Sequence, residues 1–272
     1  MQLDNKTIIH RSKKPDTLEL IFLAMGGLVL LFIIAPLAGM FINCSLGDLV
    51  DTAKDDAVQK SIWLTLWTAM AGTLILAFFA IPFSYLLARK NFPLKRLIAG
   101  IIDLPIVIPH SAAGIAILGV ISRNSVIGRL AEKSGFSFVG SPAGIMVAMA
   151  FVSLPFLING AREGFAAVPE RLEKAARTLG ATPFRVFFTI SLPLAWRSVL
   201  SGLIMMWARG LSEFGAVIII AYQPMITPVL IYDRFSSFGL KHALPVTVLF
   251  IFIVLIIFIF LRLLAENKNA RS

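Results

Sequence analysis

The residues of this sequence that could do chemistry are few and widely separated. The chain has three histidines, His10, His110 and His242, and one cysteine, Cys44. It contains no HExxH, GxSxG or Walker-type GxxxxGKS motif. A lone cysteine forms no intrachain disulfide and makes a thiol-based metal site untenable. The sequence therefore predicts no catalytic residue, no metal site and no cofactor bound by this chain, so any ATP that is used must be bound by another chain.

The elements that position these residues are long apolar segments. Apolar residues make up 58% of the 272 residues, and the mean hydropathy is +0.86, which is more than a soluble domain of this size can bury. Several segments are uncharged and reach the roughly 20 residues that a helix needs to cross a bilayer. We predict a single-domain, all-α integral membrane protein of six transmembrane helices over 1–272. The predicted spans are 20–42, 61–88, 97–122, 142–161, 198–224 and 243–261.

Basic residues alternate in density between successive loops. The N-terminus, the 89–96 turn, the 162–197 segment and the C-terminal tail hold 4, 4, 6 and 3 Lys plus Arg, whereas the three other loops together hold 7. Because the denser side is normally cytoplasmic, we predict cytoplasmic N- and C-termini. The net charge of +10 then reflects topology and indicates no nucleic-acid partner. A re-entrant course for 123–141 remains an alternative.

The first apolar segment follows basic residues, as a secretory signal would. Its 23 uncharged residues are too many for a typical signal core, so an uncleaved first span is predicted.

Two of the predicted spans contain charged residues. The third span buries Asp103 next to Pro105 and Pro109, each of which removes a backbone donor and disturbs the helix. The two prolines thus break the predicted helix. Either the polar groups around the break face a cavity, or the break is only a packing kink. Arg209 and Glu213 lie four residues apart on one face of the fifth span, where either charge alone would be costly. Mutual neutralisation is the favoured interpretation, and Asp103 is a candidate additional partner.

The charged segment between the fourth and fifth predicted spans is dense in helix start and stop signals. Pro169 suits the first position of a helix, and Gly180 suits a left-handed stop after it. Thr182 then offers an N-cap oxygen to a second helix that begins at Pro183 and ends by Pro193. The first helix carries a single apolar stripe formed by Leu172, Ala175, Ala176 and Leu179.

This segment resembles the cytoplasmic loop of ABC importer permeases. The pattern of that loop is Glu-Ala-Ala, three residues, Gly, nine residues and Ile-x-Leu-Pro. The chain has Lys174-Ala175-Ala176, Gly180 and Ile190-Ser191-Leu192-Pro193 at this spacing. Lys174 stands where the pattern has Glu, and the acidic residue lies one place earlier, at Glu173. Whether Glu173 or Lys174 meets the ATPase stays open.

Two further stretches carry the resemblance. LPIVIPHSAAGIAIL at 104–118 and RGLSEFGAVIIIAYQPMITPVLIYDRF at 209–235 are similar to permeases of molybdate, tungstate and sulfate importers. The second stretch looks closest to archaeal-type molybdate/tungstate permeases. The likeness covers roughly residues 60 to 262.

The resemblance implies a type I permease in a prokaryotic cell membrane. It implies a homodimer with two cytoplasmic ATPases that bind ATP and Mg, and an external molybdate/tungstate-binding protein. It implies a coupling loop at 165–193. The candidate coupling residues are Glu173, Lys174, Ala175, Ala176, Gly180, Pro183, Phe184 and Arg185. The candidate path residues are Asp103, His110, Ser111, Arg209, Ser212 and Glu213, with Ser153, Asn159 and Thr227 also suitable in type.

Other functions remain open from the sequence. A sulfate or thiosulfate permease is the nearest alternative. A secondary transporter would usually show internal repeats and more intramembrane charges, neither of which is visible. A membrane scaffold or sensor would account for the exposed loop helix but not for the broken, polar-bearing spans.

Overall fold

The computed structural model describes residues 16–266, with side chains described as far as Leu263. All regular structure in this part of the chain is helical, which confirms the predicted all-α class. The basic residues of the N-terminus, His10 and most of the basic tail lie outside the described residues. The chain, expected to form one domain, divides into two compact units at 1–45 and 46–272.

The described part of the first unit contains one helix, α1 (Thr17–Ile42), which includes the predicted first span. Asp16 caps it, and Glu19 completes a capping box by accepting a hydrogen bond from the Asp16 backbone. At 26 residues, α1 is long enough to cross a bilayer.

The second unit contains the other twelve helices of the described chain and one π-helical turn, Phe187–Ser191, between α9 and α10. Those helices are α2 (Leu46–Lys54), α3 (Asp56–Arg89), α4 (Lys95–Val107), α5 (His110–Ile121), α6 (Val126–Lys133), α7 (Pro142–Ala167), α8 (Glu170–Thr178), α9 (Pro183–Val186), α10 (Leu192–Leu211), α11 (Gly215–Ile220), α12 (Thr227–Phe238) and α13 (Leu240–Glu266).

The described chain has five helical segments long and apolar enough to span a membrane, or six if the bent pair α4 and α5 makes one crossing. This agrees with the six predicted helices. The segment 123–141 forms α6 and its flanking turns. With eight residues, α6 is too short to cross a membrane.

Two predicted spans are broken in the structure. The axis of 97–122 bends by 113° between α4 and α5, because Pro109 holds Ile108 in an extended conformation, with ψ at 146°. The prediction of one helix over 198–224 is also wrong. There, α10 ends at Leu211, and the short α11 begins only at Gly215.

The second loop helix was predicted to end by Pro193, and this prediction is wrong. It continues from α9 through the π-helical turn into α10, so that 183–211 forms one helical segment. Pro193 is tolerated because the turn before it is widened, with the Leu192 N–H bonded to the Phe187 carbonyl. Pro169 is the N-cap of α8 rather than its first helical residue.

The core of the second unit centres on the packed helices α3, α7 and α10, and its largest cluster also includes residues of α5, α11, α12 and α13. Small residues permit this close approach. A Cβ added at Gly164 would lie 2.4 Å from the Cβ of Ser198. Leu157 and Met206 are fully buried between the helices.

Candidate functional site

A buried carboxylate fastens the loop helix α8 to the end of α3. Glu173 is only 4% exposed. Its Oε1 accepts hydrogen bonds from Arg89 Nε and Ser191 Oγ, both at 2.8 Å, and its Oε2 accepts one from Tyr85 Oη at 3.1 Å. Arg89 also donates from Nη2 to the Val168 carbonyl at 2.8 Å. One side chain therefore joins α8 to a membrane span and to the π-helical turn that leads into α10.

The opposite side of α8 is exposed. Lys174 pairs with Glu170, with Nζ 3.0 Å from Oε2, and this hydrogen bond lowers the pKa of the Glu170 carboxyl from its usual value. Leu179, the C-cap of α8, and Phe184, in α9, are also largely exposed, at 88% and 74%. Of the two candidates for ATPase contact, Lys174 faces outward and Glu173 faces inward. The contact itself remains a prediction.

The turn after α8 is closed by a regular set of backbone bonds. Gly180 adopts φ +88°, the left-handed conformation expected from the sequence. Its N–H bonds to the Arg177 carbonyl, and the Ala181 N–H bonds to the Ala176 carbonyl, which together form a Schellman motif. Thr182 Oγ1 then accepts from the Arg185 N–H at 3.3 Å and begins α9. These hydrogen bonds hold the backbone between α8 and α9 in one conformation.

A second polar cluster lies where the two broken helices meet. Glu213, which is fully buried, follows the end of α10. Its Oε2 lies 2.7 Å from His110 Nδ1 and 3.2 Å from Arg209 Nη2. Its Oε1 accepts from the Ala216 N–H at 2.8 Å. The carboxylate thus links the start of α5, the end of α10 and the start of α11.

His110 lies between the carboxylate of Glu213 and the guanidinium of Arg209. Because a carboxylate offers only acceptors, the His110 Nδ1 that faces Glu213 is the donor of that contact. Arg209 Nη2 lies 3.0 Å from Nδ1 and 2.9 Å from Nε2. The opposite charges of Arg209 and Glu213 offset each other.

The backbones of α5 and α11 approach each other closely at this cluster. A Cβ added at Gly215 would lie 2.7 Å from the Cβ of His110, and one at Gly114 would lie 2.9 Å from the carbonyl oxygen of Ala216. Glycine is required at both positions because the neighbouring atoms are backbone or the base of a side chain.

The structure brings together only some of the predicted path residues. Asp103 accepts from Asn159 Nδ2 at 2.7 Å. The additional partner of the Arg209–Glu213 pair is therefore His110, and the prediction of Asp103 in that role is wrong. Arg209 Nη1 also donates to Ser212 Oγ at 3.3 Å.

The other candidate hydroxyls differ in exposure. Ser111 is exposed. Ser153 and Thr227 are buried, and their hydroxyls are engaged within the protein, with Met149 and Thr65 as partners.

Two important residues of the loop site were missed in the sequence. Arg89 contributed only to the charge count of the 89–96 turn, and Tyr85 was not considered. Their role depends on contacts across 84 and 88 residues, so the local sequence could not identify their partners. The position of a basic residue, Arg89, at the end of an apolar span was the one sign that the sequence offered.

Comparison with known proteins shows similarity along nearly the whole chain. Residues 80–269 match the family described as binding-protein-dependent transport system inner membrane component. A molybdate/tungstate transport system permease protein of Thermococcus kodakarensis is 43% identical over 252 residues, which is 92% of this chain and 97% of that protein. A probable sulfate transport system permease protein of Chlorokybus atmophyticus is 33% identical over 195 residues, covering 70% and 68%.

The fold has a solved counterpart. A chain of a bacterial ABC transporter involved in the import of the acidic polysaccharide alginate superposes with a TM-score of 0.72 at 16% sequence identity. The match covers 93% of this chain and 96% of that chain.

Proposed function

This chain belongs to the family of binding-protein-dependent transport system inner membrane components, and from that premise we propose that its substrates are molybdate and tungstate. It is a multi-pass membrane protein and the permease subunit of an ABC importer. The strongest support for the substrates is the 43% identity, over 92% of this chain, to a molybdate/tungstate permease. Sulfate is the second candidate, because a probable sulfate permease is 33% identical over 70% of the chain.

The assembly we propose has two copies of this chain, two ATPase subunits and an external binding protein. The chain has no nucleotide-binding loop and one loop of the coupling type, whereas an ATPase that closes as a pair offers two docking surfaces. ATP and Mg would be held by the ATPase.

Coupling would run through α8. Its exposed face, with Lys174 and Leu179, meets the ATPase. Its buried face passes the motion to α3 and α10 through Glu173, which bonds to Arg89 and to Ser191 in the π-helical turn. Such transmission requires an element with two arrangements, whose equilibrium is shifted both by the ATPase and by the membrane spans.

The path for the oxyanion would pass the cluster at the helix breaks. A tetraoxo dianion that must leave again needs donors of limited strength, because a strong cationic site would trap it. Glu213 balances Arg209, with Nη2 3.2 Å from Oε2, and so moderates the positive field there. The partly exposed Arg209 remains as a donor.

Transport in proteoliposomes tests this function. The permease is reconstituted with its ATPase and binding protein, and ATP-dependent uptake of labelled molybdate, tungstate and sulfate is measured. We expect uptake of molybdate and tungstate that tenfold excess sulfate does not suppress. If sulfate is taken up as fast as molybdate, the assignment to molybdate and tungstate is replaced by one to sulfate. If none of the three anions is taken up, the oxyanion proposal is refuted.

A further inference from the structure

Two adjoining cavities lie beside the end of α3, and they share Tyr85 and Leu86. The larger is a groove of about 670 Å³. Apart from the shared pair, it is lined by Phe78, Phe79, Pro82, Phe184, Phe187 and Phe188. Phe78 and Phe79 are 77% and 65% exposed. The groove is thus an apolar surface on a membrane-spanning helix.

The smaller cavity, of about 230 Å³, is basic. Its charged lining residues are Arg89, Lys90, Lys174, Arg177, Glu170 and Glu173. Four cations against two carboxylates leave a net charge of +2. Arg89 and Glu173 neutralise each other in their buried pair. Lys90 is exposed and has no ion-pair partner among residues 16–263.

The two cavities together match the shape of one amphiphile. Phe78 and Arg89 are eleven residues apart in α3, which corresponds to about 16 Å at 1.5 Å per residue. This is about half of a hydrocarbon core of ~30 Å, so the groove occupies the depth of one leaflet. Its basic end lies at the end of the span, where lipid headgroups are found.

We propose that these cavities form a binding site for one anionic phospholipid. An acyl chain lies in the phenylalanine-lined groove, and the phosphate lies against Lys90. Basic pockets at the ends of transmembrane helices attract anionic headgroups.

Photo-crosslinking tests the site on the reconstituted transporter. The probes are phosphatidylglycerol and phosphatidylcholine that carry the same diazirine-labelled acyl chain. We expect phosphatidylglycerol to label peptides that contain 78–86 and 184–188, and phosphatidylcholine to label them several-fold less. Equal labelling by the two lipids, or no label on these peptides, would overturn the proposal.

Matched variants test the two ends of the site. Lys90→Gln should weaken phosphatidylglycerol labelling roughly five-fold, the effect of one juxtamembrane cation. Arg96→Gln, which removes an exposed charge of the same basic turn outside the cavities, should leave it unchanged. Phe79→Ala should reduce labelling by both lipids, whereas Leu74→Ala, at a similarly exposed position of α3, should not.

Two further results would contradict the site. One is unaltered labelling of a correctly assembled Lys90→Gln variant. The other is efficient disulfide formation between two copies that carry Phe79→Cys in a Cys44→Ser background, because a second copy would then occupy the groove.

Discussion

Arg89 and Glu173 form a buried ion pair, with Nε 2.8 Å from Oε1, that joins the end of a membrane span to the loop helix. Their side chains are 9% and 5% exposed. Removing one partner of such a pair leaves an uncompensated buried charge. The pair is therefore the first contact through which to test coupling between the loop and the span.

We expect Glu173→Ala to destabilise the permease by about 3–5 kcal/mol, the usual loss when a buried pair is broken. Substrate-stimulated ATP hydrolysis of the complex should fall with it. Glu170→Ala is the matched control, because it removes an exposed carboxylate from the same helix. Thermal melting in detergent and hydrolysis assays measure both effects. If the two variants behave alike, Glu173 is not the connection between α8 and α3.

Gly180→Val should impair coupling while membrane insertion persists. Gly180 adopts φ +88°, and a Cβ there meets nothing within 4 Å, so the cost comes from the backbone alone, about 1–2 kcal/mol. Gly180→Asn is the control, because asparagine tolerates the left-handed region. The readout is substrate-stimulated ATP hydrolysis in the reconstituted complex. Unchanged stimulation with an intact complex would mean that the loop does not transmit the motion.

Arg209→Ala should reduce the amount of assembled complex, because it leaves Glu213 buried without its counter-charge. The double variant Arg209→Ala/Glu213→Ala should recover part of the assembly. Recovery is incomplete because His110 and the Ala216 N–H also lose their acceptor. Size-exclusion chromatography measures assembly, and proteoliposome uptake measures transport. A well-assembled double variant that transports little oxyanion would support Arg209 as a donor on the path, whereas undiminished transport would show that Arg209 only balances Glu213.

The topology can be tested by cysteine labelling in a Cys44→Ser background. Asp51 in α2 and Arg177 in α8 are both exposed and lie on opposite sides of the membrane according to the loop charges. We expect Asp51→Cys to react with an impermeant maleimide in whole cells and Arg177→Cys to react only after permeabilisation. The reverse result would invert the orientation and place the termini outside.

Asp55 should confer a pH dependence on stability. A hydrogen bond from Arg234, with Nη2 2.6 Å from Oδ2, lowers the pKa of the Asp55 carboxyl below the unfolded value of 3.8. The stabilisation is therefore present above pH 3.8 and is lost as the pH falls through the lower, folded-state pKa.

Asp55→Asn tests this dependence and keeps the cap on the Ala57 N–H, since asparagine also caps helices. Melting temperatures of the two proteins should differ at pH 7 and converge in acid as the pH falls through the folded-state pKa. A difference that stays constant with pH would exclude the ionised carboxylate as its source.

The local features of the protein were readable from the sequence. Uncharged segments of spanning length predicted the transmembrane helices, because hydrocarbon excludes charges and unbonded backbone over about 30 Å. Gly180 predicted the end of α8, and Thr182 predicted the start of α9. Each residue acts on its own backbone or on groups within three residues of it. The resemblance to importer permeases rested on stretches of the same local kind.

Only the tertiary structure decided which groups meet. The direction of Glu173 depends on Arg89, 84 residues away, and the partner of Glu213 is His110, 103 residues away. The break after Leu211 and the π-helical turn before Pro193 were likewise found only in the structure. The spacing of apolar residues and the helix-capping residues reflect interactions between residues that are close in the sequence. A buried charge, in contrast, is stabilised by whichever distant donors the fold brings within hydrogen-bonding distance.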